Sequence, residues 1–99
     1  MALTEPQKKH LRRLGHALHP IVLIGQRGLT ESVAAEMRRA LDDHELVKIR
    51  ARVDTRDNRD AIFAELSLQT ASEFVYRIGN VGLFYKQNNK LQKILLPDS

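Results

Sequence analysis

The sequence predicts a small α/β (α+β) domain of two layers, in which helices pack against a mixed four-stranded sheet. A short apolar run at residues 21–24 leads into a glycine-bounded loop and then a helical pattern, the arrangement of a parallel β-α-β unit. Residues 46–54 alternate strictly between apolar and polar side chains, which indicates a strand with one buried face. Apolar segments on both sides of Gly79 and Asn80 predict a hairpin. Because 99 residues support one modest core, we expect a single domain over residues 1–99.

The first helix is predicted at about residues 6–18, because three features agree at its start. Thr4 is a suitable N-cap, Pro6 suits the first turn and Gln7 completes a capping box. Pro20 ends the helix. The apolar face of this helix is formed by Leu11, Leu14 and Leu18.

The opposite face of the first helix is basic, and no acidic residue interrupts it after Glu5. A run of cations of this kind either solvates a helix or contacts an anionic ligand, and the sequence leaves both interpretations open. The cations are Lys8, Lys9, Arg12, Arg13 and His16.

Residues 21–24 are apolar throughout and too few for a helix, so we expect an interior parallel strand. Thr30 caps a second helix that runs to about residue 43, with Glu31 near its positive end. A right-handed crossover through this helix joins the first strand to the second. The inner stripe of the helix consists of Val33, Ala34, Met37, Ala40 and Leu41.

Between the first strand and this helix lies a glycine-bounded loop, Gly25-Gln26-Arg27-Gly28. Backbone N–H groups in the first turn of a helix have no partner within the helix, and they can bind a phosphate placed beyond the N-terminus. The glycines let the backbone approach a ligand closely, and Arg27 offers a bidentate charged group. A GxxG pattern is also a common tight turn, so by itself it does not decide between a turn and a ligand site.

The second strand, at residues 46–54, carries three cations on one face. Lys48, Arg50 and Arg52 occupy this polar face, where like charges repel one another unless an anion compensates them. We therefore favour ligand contact for these side chains over simple solvation. The apolar face of the strand consists of Val47, Ile49, Ala51 and Val53.

The remaining segments predict one helix and a hairpin. The third helix is expected at about residues 58–70, and the two strands of the hairpin at residues 73–78 and 81–86. Residues 94–96, before Pro97, are expected to form a short edge strand. The apolar residues of the third helix are Ala61, Ile62, Phe63, Leu66 and Leu68. The core residues expected from the third strand are Phe74, Tyr76 and Ile78.

Composition and motifs favour a binding protein over an enzyme. Sixteen Lys and Arg against 12 Asp and Glu give a net charge of +4, which favours a polyanionic partner. The absence of cysteine excludes disulfides and thiolate metal sites, and Pro20 disfavours a metal site at His16 and His19. The glycine loop lacks the Lys-Ser/Thr pair of a P-loop, and no serine lies in a nucleophile-elbow context. We expect no catalytic residues, cofactor, metal or small-molecule substrate.

Four groups of residues stand out in order along the chain: Leu14-Gly15-His16, residues 20–30, His44-Glu45-Leu46-Val47-Lys48, and Ile78-Gly79 with Leu83-Phe84-Tyr85-Lys86. Together they resemble the CRM domain, the chloroplast RNA splicing and ribosome maturation domain, and more closely its bacterial single-domain YhbY-type members. The resemblance covers about residues 4–96, the expected core of the domain. The ordered set is far more specific than the GxxG loop alone.

The resemblance implies an RNA-binding domain with the element order α-β-α-β-α-β-β, similar to the C-terminal domain of translation initiation factor three. Bacterial relatives associate with precursors of the large ribosomal subunit, and plant relatives act in organellar intron splicing. By this likeness, residues 25–28 and the basic first helix contact RNA. Many family members carry lysine where this chain has Gln26, so Arg27 must supply the charge of the loop. The family often has a lysine in the hairpin as well, where this chain has Asn80-Val81-Gly82.

We therefore hypothesise an RNA-binding protein that associates with ribosomal RNA or precursor large ribosomal subunits and assists ribosome assembly. The alternative is a factor that docks on ribosomal proteins and touches RNA only incidentally. Because few exposed aromatic residues are evident, we expect base stacking to be minor and structured RNA to be recognised by its shape and backbone. We also expect a monomer. The sequence shows no signal peptide or membrane span, so we expect a cytoplasmic protein without a membrane partner. The predicted RNA-binding residues are Lys8, Lys9, Arg12, Arg13, Gly25, Gln26, Arg27, Gly28, Thr30, Lys48, Arg50 and Arg52.

Overall fold

Among the residues that the structure describes, three helices and four strands follow one another in the predicted order α-β-α-β-α-β-β. The computed structural model describes residues 2–53, 55–88, 90 and 92–98. β2 ends at Ala51 rather than at residue 54, and Asp54 lies outside the described residues. The elements are α1 (Glu5–Gly15), β1 (Pro20–Ile24), α2 (Glu31–His44), β2 (Leu46–Ala51), α3 (Arg56–Thr70), β3 (Glu73–Ile78) and β4 (Val81–Tyr85).

The four strands form a mixed sheet in the spatial order β1-β2-β4-β3. β1 is parallel to β2, whereas β4 is antiparallel to both β2 and β3. The predicted mixed sheet is confirmed, but the prediction that the first strand is interior is wrong, because β1 lies at the edge of the sheet. Val22 and Ile24 are buried, while Ile21 and Leu23 are 48% and 52% exposed. The apolar run therefore has one buried face and one open face.

The hydrophobic core lies on both faces of the sheet. α2 and α3 cover one face, and α1 packs on the other. The sheet with α2 and α3 forms the predicted two layers, and α1 adds a partial third layer. The buried cluster beneath α2 and α3 consists of Val22, Ile24, Met37, Leu41, Val47, Ile49, Ala51, Phe63, Leu66 and Phe84. The cluster beneath α1 is smaller and consists of Leu11, Leu46, Val75, Leu83 and Tyr85.

α1 is shorter than the sequence predicts, and it ends at Gly15 rather than at residue 18. Gly15 lies close against the sheet, because a Cβ added there would be 2.8 Å from the side chain of Leu83. Of the three leucines predicted to form the apolar face, only Leu11 is fully buried, while Leu14 and Leu18 are 39% and 36% exposed. The early end of the helix leaves part of the sheet face beside it uncovered.

A β-bulge in β3 overturns the prediction that alternate residues from Phe74 to Ile78 face the core. Phe74 pairs with Phe84 on the side of α2 and α3, whereas Tyr76 packs against the cluster beneath α1. Because the bulge adds one residue, Val75 is the buried side chain at this point, and Ile78 is 62% exposed.

Two further apolar segments differ from their predicted roles. α3 begins at Arg56, after an N-cap at Thr55, and its residue Leu68 is 77% exposed rather than buried. Residues 94–96 form no strand, so the predicted edge strand is wrong. Instead, Ile94 and Leu96 pack as an irregular segment against the cluster beneath α1.

Candidate nucleic-acid interface

The GxxG loop forms a tight turn directly after β1. The Gly28 N–H donates to the Gly25 carbonyl oxygen over 3.0 Å, which leaves Gln26 and Arg27 exposed at the tip. Gly28 has a φ of +74°, a conformation that disfavours any residue with a Cβ. Gly25 is different, because its φ is not positive and no atom lies within 4 Å of a Cβ added there. The turn thus requires glycine at position 28, while glycine at position 25 leaves open space for a ligand.

The N-terminus of α2 faces out just beyond this loop. As predicted, Thr30 is the N-cap, and its hydroxyl oxygen accepts from the Val33 N–H over 3.2 Å. The Thr30 carbonyl oxygen accepts from the Ala34 N–H. These bonds leave the N–H groups of Glu31 and Ser32 at the end of the helix, where an anion can accept from them. The exposed Glu31 carboxylate in the same turn weakens the attraction for a phosphate.

Arg52 lies beside the GxxG loop because β1 and β2 are parallel. The loop follows the C-terminal end of β1 and Arg52 follows that of β2, so both lie at the same edge of the sheet. The Arg52 N–H donates to the carbonyl oxygen of Ile24, the last residue before the loop, over 2.8 Å. Arg50 and Arg52 both line a shallow depression along β1, and Lys48 lies further along β2. The strand cations therefore form a row that begins at the loop.

The basic face of α1 lies on the open side of the helix. Lys9 and Arg13 are exposed. The Lys8 ammonium lies 3.9 Å from the Glu5 carboxylate, which is 88% exposed. An ion pair of this exposure is weak, so a phosphate can displace the Glu5 carboxylate from Lys8.

Tyr76 is the residue of this surface that the sequence prediction missed, because it was assigned to the core. It is half-buried, and the Arg12 guanidinium carbon lies 5.4 Å from the centre of its ring. Both Tyr76 and Arg50 line a groove next to the C-terminal end of α1. The candidate interface therefore has two parts, the loop with the strand cations and the basic helix, and the open part of the sheet connects them.

The described part of the chain holds neither a metal-ion cluster nor a membrane-spanning helix. Within residues 2–53, 55–88, 90 and 92–98, no group of three or more His, Cys, Asp or Glu side chains is arranged to hold a metal ion. None of the three helices formed by these residues is both long enough and apolar enough to cross a membrane.

Known proteins resemble this chain in sequence. The model of the CRS1/YhbY (CRM) domain family matches residues 3–86. A Pseudomonas aeruginosa protein, named a probable RNA-binding protein, is 45% identical over 95 residues, which cover 96% of this chain and 91% of that protein. An RNA-binding protein of Haemophilus influenzae is 36% identical over 95 residues, covering 96% of this chain and 95% of the relative.

A solved structure shows the same fold. The solution structure of a hypothetical Staphylococcus aureus protein matches with a TM-score of 0.85 at 32% sequence identity. The match covers 97% of this chain and 100% of the other. Together with the family match and the two sequence relatives, it confirms the resemblance stated from the sequence: the chain belongs to the CRS1/YhbY (CRM) domain family.

Proposed function

We propose that this protein binds ribosomal RNA, or precursor large ribosomal subunits that contain it, and so assists ribosome assembly. One observation supports the proposed binding surface. The backbone hydrogen bond from the Arg52 N–H to the Ile24 carbonyl oxygen places the strand cations next to the GxxG loop. The names of the Pseudomonas and Haemophilus relatives support RNA as the partner. The resemblance to bacterial YhbY-type proteins supports the ribosomal role.

The chemistry of the surface suits a phosphodiester backbone. Arg27 and Arg52 each offer a planar pair of donors that matches two phosphate oxygens. The open space at Gly25 lets the chain approach the RNA backbone, and the N–H groups at the start of α2 add neutral donors. Contacts of this kind set the affinity and orientation of the RNA without reading its sequence.

The same proposal covers how the protein acts. Binding alone accounts for the residues that the surface assembles, so we expect no catalysed reaction and no requirement for a metal or cofactor. We also expect a monomer that acts in the cytoplasm as one domain over residues 1–99.

Binding to large-subunit ribosomal RNA fragments, measured across a salt series, tests the proposal. We expect Arg27→Ala and the double variant Arg12→Ala/Arg13→Ala each to weaken binding about 3- to 10-fold. Each should also reduce the slope of log affinity against log salt concentration by about 1 for every phosphate that the variant no longer neutralises. Arg39→Ala is the matched control for Arg27→Ala. Arg39 is an exposed cation in the second half of α2, which lies on the face of the sheet opposite α1.

Two outcomes contradict the proposal. If the unsubstituted protein binds RNA no better than a neutral protein of the same size, direct RNA binding fails. If Arg39→Ala weakens binding as much as Arg27→Ala, the affinity follows net charge and the proposed surface fails.

A separate observation supports the alternative, in which the protein docks on ribosomal proteins. Leu14, Leu18 and Ile21 line a depression of about 450 Å³ beside the start of β1, and all three are exposed. Docking there predicts weak salt dependence and loss of ribosome association in Leu18→Ser and Ile21→Ser. Sedimentation of the protein with precursor large subunits at low and high salt separates this from RNA binding.

A further inference from the structure

The uncovered part of the sheet face beside α1 forms a groove. Because α1 ends at Gly15, the groove opens between the end of the helix and the strands, with a volume of about 310 Å³. This lies at the lower end of the range of about 300–1,000 Å³ that is typical of small-ligand sites. Its lining includes His16, Lys48, Arg50, Tyr76, Ile78 and Val81.

The strand register explains how these side chains meet. Arg50 of β2 pairs with Val81 of β4, which in turn pairs with Ile78 of β3. These three residues form one row across the sheet. The neighbouring row runs from Lys48 through Leu83 to Tyr76. Each row has a cation at the β2 end and an apolar or aromatic side chain at the β3 end.

The groove therefore joins two chemically different surfaces. At one end Tyr76 and Ile78 offer an aromatic ring and an apolar side chain that is 62% exposed. At the other end Lys48 and Arg50 supply positive charge, and none of the described residues that line the groove is acidic. A nucleotide has the complementary pair of surfaces, because its base is flat and stacks on aromatic rings while its phosphate is anionic.

Unused donors point to the same ligand. Arg50 lines the groove, and its buried Nε has no hydrogen-bond partner among the described residues. An unsatisfied buried donor is costly, and a phosphate that draws the guanidinium into the groove would relieve that cost. Lys48 uses one of its three donors on the Leu18 carbonyl oxygen at 3.2 Å. Arg12 lies over the Tyr76 ring, which holds that ring at the wall of the groove.

The groove is also continuous with the GxxG loop. The depression along β1 shares Pro20 and Arg50 with the groove and extends to Arg52. The backbone of Arg52 is bonded to Ile24 at the start of the loop. An RNA strand held at the loop thus has a cationic path of three side chains into the groove.

We propose that this groove binds one unpaired nucleotide of the RNA, with the base against Tyr76 and Ile78 and the phosphate held by Lys48 and Arg50. The inference rests on the proposed RNA-binding function and adds to it. Recognition by shape and backbone at the loop is then combined with selection for a bulged or single-stranded nucleotide at a fixed distance from it.

Two RNA hairpins test the proposal, one with a single bulged adenosine and one with an abasic nucleotide at the same bulge. We expect the unsubstituted protein to bind the adenosine hairpin about 10-fold more tightly, because the abasic hairpin has no base to stack on the aromatic side chain. Ile78→Glu should bind both hairpins equally, since the new carboxylate in the groove repels the phosphate and removes apolar surface. Arg50→Met, which keeps an apolar stem, should also abolish the preference.

Leu68→Glu is the matched control, because Leu68 is 77% exposed on α3, on the other side of the sheet. It introduces the same charge and should keep the 10-fold preference. Thermal unfolding followed by circular dichroism compares the folding of all three variants with that of the unsubstituted protein.

The outcomes separate this proposal from the proposed function. Equal binding of both hairpins by the unsubstituted protein overturns the nucleotide site and leaves RNA binding intact. Failure to bind either hairpin overturns the nucleotide site, and it overturns RNA binding itself if the large-subunit ribosomal RNA fragments are not bound either. If the unsubstituted protein binds both hairpins equally and Ile78→Glu loses ribosome association, the groove is assigned to a protein partner and the nucleotide site is overturned.

Discussion

Tyr85 is a buried residue whose hydroxyl has no hydrogen-bond partner among the described residues. It ends β4 and packs with Leu11 and Leu83 in the cluster beneath α1. Burial raises the pKa of Tyr85 above its ordinary value, and the Glu45 carboxylate raises it further. The folded protein therefore holds the phenolic proton more tightly than the unfolded chain does.

This raised pKa predicts a loss of stability at alkaline pH. Below a pH of about 10, the ordinary pKa of tyrosine, the contribution is fully present, and it is lost as pH rises through the folded-state pKa. We expect Tyr85→Phe to lose less stability than the unsubstituted protein between about pH 9 and 11. At pH 7 it should be as stable or more stable, by up to about 1 kcal/mol, because an unpaired hydroxyl is no longer buried.

Urea unfolding at several pH values measures the effect. Tyr76→Phe is the control, because that ring is only half-buried, and it should show the same alkaline decline as the unsubstituted protein. An equally steep decline in Tyr85→Phe would assign the alkaline loss to other groups.

At the scale of the elements, the starts of α1 and α2 could be predicted because their determinants are local. The capping box of α1 is present, with the Gln7 N–H bonded to the Thr4 hydroxyl oxygen and the Thr4 N–H to the Gln7 side chain. Thr30 caps α2 in the same way. Each of these interactions spans three residues, so the sequence of one turn determines it.

The wrong predictions concern features that distant segments determine. The edge position of β1 depends on β4 pairing with the far side of β2, and the faces of β3 depend on a bulge opposite β4. Alternation of residues within one strand carries no information about either. For this reason the sequence pattern places Tyr76 in the core and gives no sign of the groove that Tyr76 lines.

The predicted binding residues also divide into those that local sequence determines and those that distant segments determine. The loop and the cations of α1 could be identified from local patterns. That Arg52 lies at the loop follows from parallel pairing of β1 with β2, which the sequence predicted without fixing its register. The contact between Arg12 and Tyr76 spans α1 and β3, and only the folded chain shows it.

Substitution of the two glycines of the GxxG loop should have different effects, because the turn requires glycine at only one of the two positions. Gly28→Ala should destabilise the fold by about 1–2 kcal/mol, since its φ of +74° disfavours a Cβ. Gly25→Ala should leave the free energy of unfolding within about 0.5 kcal/mol but weaken RNA binding, because the added methyl occupies space open to the ligand.

Chemical denaturation and RNA binding measured on both variants check this pair. Each glycine serves as the control for the other, since the substitution is identical and the sites are three residues apart. Equal RNA affinity for Gly25→Ala and the unsubstituted protein would mean that the ligand does not approach the backbone at this position.

At the scale of the whole molecule, Glu45 connects segments that are far apart in the chain. It is fully buried at the end of α2, with a φ of +63°. Its backbone carbonyl oxygen accepts from Lys86 at the end of β4. Its carboxylate accepts from the N–H groups of Asn88, Lys93 and Ile94 at 2.6, 2.6 and 2.7 Å.

The segment that Glu45 holds also reaches α1. Ile94 and Leu96 pack on the cluster beneath that helix, and the Gln7 side chain donates to the Pro97 carbonyl oxygen over 2.8 Å. The basic helix is therefore fixed at its N-terminal end by the C-terminal segment, and that segment is fixed by one buried carboxylate. We therefore expect this connection to help position the α1 cations relative to the sheet.

Glu45→Gln tests the connection with little change in shape. The amide group replaces one acceptor oxygen by a donor that faces a backbone N–H, and the charge that strengthened all three bonds is removed. We expect a loss of about 2–4 kcal/mol in the free energy of unfolding, given about 1.5–3 kcal/mol for a hydrogen bond to a charged group. Hydrogen exchange should show faster exchange at the amides of Lys93 and Ile94 than in the unsubstituted protein.

Asp43→Asn is the control, because it makes the same acid-to-amide change at an exposed position two residues earlier, and it should alter stability by less than about 0.5 kcal/mol. RNA binding separates local from global effects. If Glu45 positions the basic helix, Glu45→Gln should lower RNA affinity at a temperature where the variant is still folded, and Arg12→Ala/Arg13→Ala should then add little further loss. Fully additive losses would show that the α1 cations bind RNA independently of the C-terminal segment.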